Sequence, residues 1–371
     1  MYKRTMRNTH LPKTYKTIGQ NQISMQEFQR GKKNIQQKNA DFDYNTTSKR
    51  KKTSKDNRDR EDTQEIGIPD EPLPTDITSQ DDMATIEYIN SAAETKDLVH
   101  IGIYHATQKD LQCLLDCSKY LNDFVINAYV RILKAQPSVQ TKQDGDAYLE
   151  TTYNTTMICG DTIPKLREQY EQSFRLIRTL TYLNHDMVFF PINIKNSHWF
   201  LVAVNGRKGV IQVLDSTGSA SHPPQVQQLI QGLHNRIKRL KDLKMNTQTK
   251  WQDVNLKEWR AVPCINKRMQ TDGSSCGLFV LKFMELWTGS RLSSIFTQVP
   301  CNVQISCTSQ CPILHYKFTT ISIGNAQKDI TNFRLKLAVT LVDYPWNKVK
   351  ESPGYKSMDV EKAYKLEDNE K

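Results

Sequence analysis

Two apolar runs, the first followed directly by a tight-turn dipeptide, restrict the folds open to this chain more than any other feature of its sequence. Trp199 to Val204 and Val210 to Leu214 read as strands, and Asn205-Gly206 directly follows the first of them. Asn-Gly readily adopts the positive φ angles that two-residue hairpin turns require. The sequence therefore predicts an antiparallel hairpin, in which the start of one strand lies beside the end of the other.

Around this hairpin, helical and strand-like segments interleave without a regular βαβ alternation. Met187 to Ile194 reads as a strand before the hairpin, and Trp259 to Ile265 reads as a strand after it. Helical spacing of apolar residues predicts six helices, with Asp123 as a candidate cap and Pro164 as a candidate first-turn residue. The mixture predicts an α+β domain. The residues that define the helices are Leu111, Leu114 and Leu115; Val125, Tyr129, Ile132 and Leu133; Leu166, Tyr170, Phe174 and Ile177; Val226, Leu229, Ile230, Leu233, Ile237 and Leu240; Cys276 to Trp287; and Phe333 to Val342.

The first 95 residues differ in composition from the rest of the chain. Residues 1–60 contain 16 Lys and Arg against 5 Asp and Glu, whereas residues 61–97 contain 11 acidic residues and one lysine. Neither part has enough apolar periodicity to offset the entropy lost on ordering. We predict a disordered tail over residues 1–95, a folded domain over residues 96–345 and a charged C-terminal tail over residues 346–371.

The basic part of the tail bears on where the protein acts. The run Lys49-Arg50-Lys51-Lys52 is typical of a nuclear import signal or a nucleic-acid contact, and equally of a solvated linker. A net charge of +11 agrees with an acidic partner or a nuclear setting. Neither an apolar signal segment after Met1 nor a run long enough to span a membrane is visible. We therefore expect reduced thiols in the nucleus or, alternatively, in the cytoplasm.

Cys276 is the candidate nucleophile. It follows the small-residue loop Asp272-Gly273-Ser274-Ser275 and opens an apolar helix. A thiol at a helix N-terminus faces unpaired N–H groups and the positive end of the helix dipole, both of which favour the thiolate. The same N–H groups can stabilise an oxyanion on an attacked carbonyl. A buried structural cysteine at a helix start is the alternative interpretation.

A nucleophilic cysteine needs a base within hydrogen-bond reach, and His198 is the best placed of the eight histidines. It directly precedes the first hairpin strand, whereas the competing His185 precedes a strand with no comparable partner loop. Asp215 ends the second hairpin strand, so the predicted antiparallel pairing places it at the same end of the sheet as His198. Alone, His198 would read as a solvated turn histidine and Asp215 as a turn residue.

The combination of these residues resembles a known family, the ubiquitin-like-protein-specific proteases of the SUMO protease clan. The resemblance lies in His198-Trp199, then Leu214-Asp215-Ser216, then Gln270 six positions before Cys276-Gly277. Upstream, the segment Tyr120 to Ile126 is similar to the Trp-Leu-Asn-Asp segment that opens an early helix in the family. Similarity to the plant and transposon-associated branch looks closer than to the SUMO proteases themselves. The resemblance implies a papain-like or adenain-like fold, with a central mixed sheet flanked by helices.

The resemblance also implies roles for particular residues. His198, Asp215 and Cys276 would form the triad, and Gln270 would donate its side-chain amide to the oxyanion. Trp199 would form one wall of a tunnel for the modifier's Gly-Gly tail, although a core aromatic at a strand start fits the pattern equally. Tyr120 stands where the family often has the tryptophan of the other wall, and Asp123 of the same segment completes the expected substrate-binding set. Ser275 replaces the aspartate that commonly precedes the cysteine, which would remove a supporting contact.

Residues 299–327 do not follow the family pattern. They contain Cys301, Cys307 and Cys311 but only one charged residue, Lys317. The cysteine spacings, with His315, fit no common zinc finger. A translated intron is a better interpretation of the segment. It begins with a valine, whose codons start with GT, and ends with a glutamine, whose codon can be CAG, as the two ends of an intron require. Removal of the segment joins Gln298 directly to the residues that lead into the last helix. Sequencing of the mature transcript tests this interpretation.

We therefore expect a cysteine peptidase or isopeptidase that cleaves after the C-terminal glycine of a ubiquitin-like modifier, SUMO or a Rub/Nedd-type modifier, either to mature its precursor or to release conjugates. The expected enzyme is a monomer and needs no cofactor or metal. Its partners are the modifier and its conjugates, with nucleic-acid contact by the basic tail as a further expectation. A catalytically inert, transposon-derived modifier-binding module is the alternative, favoured by Tyr120, Ser275 and the insertion.

Overall fold

A computed structural model describes residues 80–161, 169–219, 223–245, 249–298 and 330–349. These residues all belong to one compact unit, 66–371. Several predictions made above lie outside them: the tail up to residue 79, the helix start at Pro164, the segment 299–327 and the C-terminal residues from 350 onward.

The described chain contains nine α-helices, one short 3-10 helix over Leu256–Glu258 and eight strands. Every helix predicted from apolar spacing is present as far as the described residues extend. The helices are α1 Gln80–Ser91, α2 Gln108–Leu115, α3 Asp123–Lys134, α4 Pro137–Gln140, α5 Thr152–Gly160, α6 Gln169–Leu183, α7 Pro224–Asp242, α8 Cys276–Leu286 and α9 Ile330–Val342. The strands are β1 Asp97–Ile101, β2 Tyr104–Thr107, β3 Thr141–Lys142, β4 Gly145–Leu149, β5 Met187–Ile194, β6 His198–Asn205, β7 Val210–Leu214 and β8 Arg260–Pro263.

A six-stranded sheet in the order β3-β4-β5-β6-β7-β8 forms the centre of the domain, and β1 and β2 pair separately. The β4–β5 and β7–β8 pairs are parallel and the other neighbours are antiparallel, so the central sheet is mixed. The predicted hairpin is confirmed: β6 pairs with β7 from Leu201 opposite Leu214 to Asn205 opposite Val210. The predicted two-residue Asn-Gly turn is wrong, because Asn205 is itself paired and the loop comprises residues 206–209, with its positive φ at Gly209.

Two hydrophobic cores lie on the two faces of the sheet, because successive strand residues point to opposite sides. In β6, Trp199, Leu201 and Ala203 enter one core, and alternate residues from Phe200 to Val204 enter the other. Helices α1, α2, α3, α8 and α9 contribute to the first core, and α5, α6 and α7 contribute to the second. The predicted arrangement of a mixed sheet flanked by helices is therefore confirmed. No helix among the described residues is both long and apolar enough to cross a membrane.

Two details of the helix predictions are wrong. Asn122, not Asp123, is the N-cap of α3, since its side chain accepts the N–H of Val125 and Asp123 is the first helical residue. In α6, Phe174 and Ile177 are exposed rather than buried. That helix instead buries a face that includes Thr179 and Tyr182, whose hydroxyl donates to the carboxylate of Glu150 in the core.

The predicted limits of the folded domain are too narrow at both ends. Residues 80–91 form α1, which packs against α9, where the ammonium of Lys336 donates to both carboxylate oxygens of Asp82 at 2.7 and 2.8 Å. At the other end, Asn347 is buried and donates to the carbonyl of Leu98. A weakly apolar helix and a single asparagine give little hydrophobic pattern, so the sequence assigned both segments to tails.

We expect Asp82→Ala to destabilise the domain by about 3 kcal/mol, because it leaves the ammonium of Lys336 buried without its carboxylate partner. Glu87→Ala, which removes an exposed carboxylate from the same helix, is the matched control and should change stability by less than about 0.5 kcal/mol. Urea unfolding followed by circular dichroism measures both. Equal unfolding midpoints for the two variants would contradict the packing of α1 on α9.

Candidate active site

The end of the β6–β7 hairpin brings a histidine and an aspartate together. His198 is the first residue of β6 and Asp215 directly follows β7. The imidazole Nε2 lies 2.9 Å from the carboxylate Oδ1 of Asp215. The same oxygen accepts the backbone N–H of Thr217 at 2.9 Å and its hydroxyl at 2.8 Å. The carboxylate is therefore held by its own turn and is oriented towards the imidazole.

Cys276 is the first residue of α8, and it is fully buried. This helix is apolar and buried along most of its length because it lies on the sheet face that contains Trp199 and Leu201. The first N–H groups of a helix have no acceptor within the helix. Among the described residues, none provides an acceptor for the N–H groups of Cys276 and Gly277. A thiol and unpaired N–H donors therefore share the start of α8.

The thiol of Cys276 lies close enough to the imidazole of His198 to influence its protonation. The hydrogen bond with Asp215 and then the interaction with Cys276 raise the pKa of His198 to about 9, against the opposing effect of burial. Burial by itself would raise the pKa of Asp215, but hydrogen bonds from His198 and Thr217 lower it below its ordinary value. With Nε2 facing Asp215, Nδ1 is the ring nitrogen left to receive the thiol proton. The arrangement thus favours an imidazolium between two groups that are negative when ionised.

Gln270 lies in the loop before Cys276, and its side chain is buried and bonded on both sides. Its Oε1 accepts the hydroxyl of Ser216 at 2.8 Å, and its Nε2 donates to the backbone carbonyl of Asp272 at 2.9 Å. The backbone N–H of Gln270 also donates to the carbonyl of Ser216, the residue after Asp215. The structure thus anchors Gln270 to the histidine–aspartate end of the sheet. An amide contact with an oxyanion requires that Nε2 exchange one of its present bonds.

The residues expected to bind substrate occupy different environments. Trp199 is only 2% exposed, and its indole N–H donates to the carbonyl of Leu121 at 2.9 Å. Tyr120, the neighbour of Leu121, is 42% exposed, and Asp123 is exposed at the start of α3. The structure therefore places Trp199 in the core beneath the segment that carries the other two side chains at the surface.

The competing histidine lies elsewhere. His185 precedes β5, at the opposite end of that strand from Ile194, which pairs with His198. The Nδ1 of His185 contacts the carbonyl of Thr181 at 2.8 Å, and burial lowers its pKa.

Sequence reasoning missed three polar residues that hold the cysteine loop. Asp272 accepts the hydroxyl of Ser275 at 2.6 Å, and Gln298 donates to the same carboxylate at 2.7 Å. Arg334 of α9 donates to the hydroxyl of Ser275 at 3.3 Å. Asp272 belongs to the small-residue loop that drew attention to Cys276, so a signal was present for it. Gln298 and Arg334 are too distant in sequence for any local pattern to connect them with the loop.

The sequence matches a model of the Ulp1 protease family, C-terminal catalytic domain, over residues 119–305. It is 28% identical over 190 residues to ubiquitin-like-specific protease ESD4 of Arabidopsis thaliana, covering 49% of this chain and 35% of that protein. It is 30% identical over 182 residues to sentrin-specific protease 2 of Mus musculus, covering 48% of this chain and 27% of that protein. The chain thus spans about a third or less of the length of these curated relatives.

Among solved structures, the fold is similar to the C-terminal Ulp1 protease domain in complex with Smt3, the yeast ortholog of SUMO. The two chains are 17% identical, with 73% of this chain and 98% of that chain covered and a TM-score of 0.45.

We expect Asp215→Asn to lower the pKa of His198, because a neutral acceptor stabilises the imidazolium less than a carboxylate does. A pKa raised to about 9 means that the imidazolium persists at neutral pH and is lost as the pH rises through that value. In the Asp215→Asn variant, the imidazolium of His198 should be lost at a lower pH. NMR titration of the histidine ring carbons measures the midpoint, and His198→Gln identifies the signal.

Asp242→Asn is the matched control, since it neutralises an exposed carboxylate of α7 that is not among the groups that shift the pKa of His198. Its His198 midpoint should equal that of the unchanged protein. An unshifted midpoint in Asp215→Asn would contradict the assignment of Asp215 as the main source of the raised pKa.

Proposed function

The chain belongs to the Ulp1 protease family, and from that membership we propose that it is a cysteine peptidase that cleaves after the C-terminal glycine of a ubiquitin-like modifier. The observation that carries the proposal is the imidazole of His198, which is hydrogen-bonded to Asp215 and lies beside the thiol that opens α8. A thiol–imidazole pair backed by an acid is the arrangement of nucleophilic acyl transfer. SUMO or a Rub/Nedd-type modifier is the proposed substrate, in precursors or conjugates.

In the proposed reaction, the Cys276 thiolate attacks the carbonyl carbon of the terminal glycine, and the carbonyl oxygen becomes an oxyanion. N–H groups at the start of α8 and the amide of Gln270 stabilise that charge. His198, protonated by the thiol, gives its proton to the leaving amine as the C–N bond breaks. Water, deprotonated by His198, then attacks the thioester and releases the modifier and the free thiol. Asp215 keeps the imidazole oriented throughout.

The substrate path is proposed to run over the segment that begins at Tyr120. An extended Gly-Gly tail has no side chains, so a narrow passage lined by an aromatic face selects it by shape. The exposed ring of Tyr120 supplies one face, and Trp199 supports the passage from below through Leu121. Asp123, exposed nearby at the start of α3, is proposed to contact the body of the modifier.

The setting of the activity is also a proposal. The basic run Lys49-Arg50-Lys51-Lys52 supports a nuclear location, with nucleic-acid contact by the same tail. We propose that the protein acts as a monomer.

Electrophilic probes built on SUMO, a Rub/Nedd-type modifier and ubiquitin test the proposed activity. We expect the full-length protein to form a covalent adduct, visible as a gel shift, with at least one probe and most rapidly with its own modifier. Cys276→Ala should form none, since the thiol is the attacking group. Binding of a modifier without an adduct by the unchanged protein would overturn the proposal and favour an inert binding module.

Tyr120→Ala should slow adduct formation with the preferred probe about tenfold, which corresponds to about 1.4 kcal/mol. Tyr153→Ala is the matched control, because Tyr153 is an exposed tyrosine on α5, which contributes to the core on the other face of the sheet. The rate constants come from the time course of the gel shift. Equal rates for the two variants would remove Tyr120 from the proposed substrate path.

A further inference from the structure

The loop that precedes Cys276 is organised around one carboxylate. Oδ1 of Asp272 accepts the backbone N–H groups of Ser275 at 3.0 Å and Ser274 at 3.2 Å. Oδ2 accepts the hydroxyl of Ser275 at 2.6 Å. The amide Nε2 of Gln270 donates to the backbone carbonyl of Asp272 at 2.9 Å and to Oδ1 at 3.2 Å. The proposed oxyanion donor and the residues directly before the thiol are therefore bonded to the same side chain.

The same carboxylate also ties the loop to distant parts of the domain. Gln298 donates its amide to Oδ2 at 2.7 Å, and its Oε1 accepts the N–H of Thr271 at 2.8 Å. Arg334 donates to the hydroxyl of Ser275 at 3.3 Å and to the carbonyl of Lys119 at 3.0 Å. Lys119 precedes Tyr120, so the network links the cysteine loop to the segment proposed to receive the substrate.

The charge of Asp272 suits this position. Burial on its own would raise the pKa of its carboxyl group, but hydrogen bonds from Ser275, Ser274 and Gln298 together lower it. A carboxylate that accepts several N–H and O–H donors forms stronger bonds than a neutral acceptor would. The side chain is thus an ionised acceptor around which neutral donors are fixed.

Resting on the function proposed above, we propose that Asp272 is a positioning residue for oxyanion stabilisation. Its carboxylate fixes the amide of Gln270 and the loop backbone that leads into α8. The loop is thereby held in place before charge develops on the substrate carbonyl oxygen, and the Gln270 amide then exchanges one of its bonds to Asp272 for a bond to the oxyanion. The thiol–imidazole pair depends on different contacts, namely the packing of α8 on β6 and the hairpin contact between His198 and Asp215. Loss of Asp272 should therefore weaken oxyanion stabilisation and leave thiol reactivity in place.

Two reactions of the full-length Asp272→Ala variant test this separation. Hydrolysis of a fluorogenic modifier substrate passes through an oxyanion, whereas alkylation of Cys276 by iodoacetamide does not. We expect kcat for hydrolysis to fall about 30-fold, with KM and the alkylation rate each within about twofold of the unchanged protein. Glu258→Ala, which removes an exposed acid of the 3-10 helix, should match the unchanged protein in all three measurements.

Unchanged hydrolysis in Asp272→Ala would overturn the inference, and so would a parallel fall in hydrolysis and alkylation, which would indicate general damage to the loop. If Asp272→Ala fails to fold, Asp272→Asn decides the question. It keeps one acceptor oxygen but presents an amide to Ser275 and Gln298, so it should lower kcat by a smaller factor with alkylation retained. Wild-type kcat in Asp272→Asn would overturn the role of the charge.

The unchanged protein measured beside these variants separates this inference from the proposed function. An inactive unchanged protein refutes the proposed function and, with it, this inference. An active unchanged protein with an equally active Asp272→Ala variant refutes this inference alone.

Discussion

The close approach of two chain segments, the start of α8 and the start of β6, is the contact on which the site depends. Gly277 makes it possible, since a Cβ atom there would lie 2.8 Å from the Cβ of Leu121 and 3.3 Å from Cδ1 of Trp199. The indole N–H of Trp199 bonds to the carbonyl of Leu121. This bond fixes the segment before α3, which packs against both of the others. Because Cys276 precedes this glycine and His198 precedes this tryptophan, packing of the second residue of each element brings their first residues together.

This geometry explains why the polar chemistry concentrates at one end of the sheet. The interior of β6 enters both cores and contributes apolar side chains to each, so a titratable group fits only where the strand begins. There, the carboxylate of Asp215 and the ionised sulfur of Cys276 both stabilise the imidazolium of His198, and its pKa rises to about 9. Asp215 is held in position to stabilise the imidazolium because the turn residue Thr217 donates two further hydrogen bonds to the same carboxylate oxygen.

The sequence predicts the structural features that depend on local residue patterns. It does not predict features that depend on contacts between residues far apart in the chain. The hairpin and the pairing of His198 with Asp215 follow from two short apolar runs and a local turn signal, although the turn itself is the four-residue loop 206–209 with its positive φ at Gly209 rather than at Asn205-Gly206. By contrast, α1 is held by a buried ion pair with a residue more than 250 positions away, and the bond from Arg334 to Ser275 spans 59 positions. The spacing of apolar residues along the chain carries no signal for contacts between residues so far apart. The sequence also assigns the wrong face of α6 to the core, since the buried face carries Tyr182, whose hydroxyl bonds to the buried Glu150, and leaves Phe174 and Ile177 exposed.

The thiol–imidazole pair and the loop that carries Gln270 therefore differ in how many substitutions they tolerate. The thiol and the imidazole are set by the packing of regular elements, where even one added methyl group at Gly277 meets Leu121. The loop that carries Gln270 is set by hydrogen bonds, and donors or acceptors can be redistributed among neighbouring side chains. Ser275 illustrates this freedom: in place of the aspartate common in the family, its hydroxyl accepts from Arg334 and donates to Asp272. The negative charge is retained, three residues earlier in the chain.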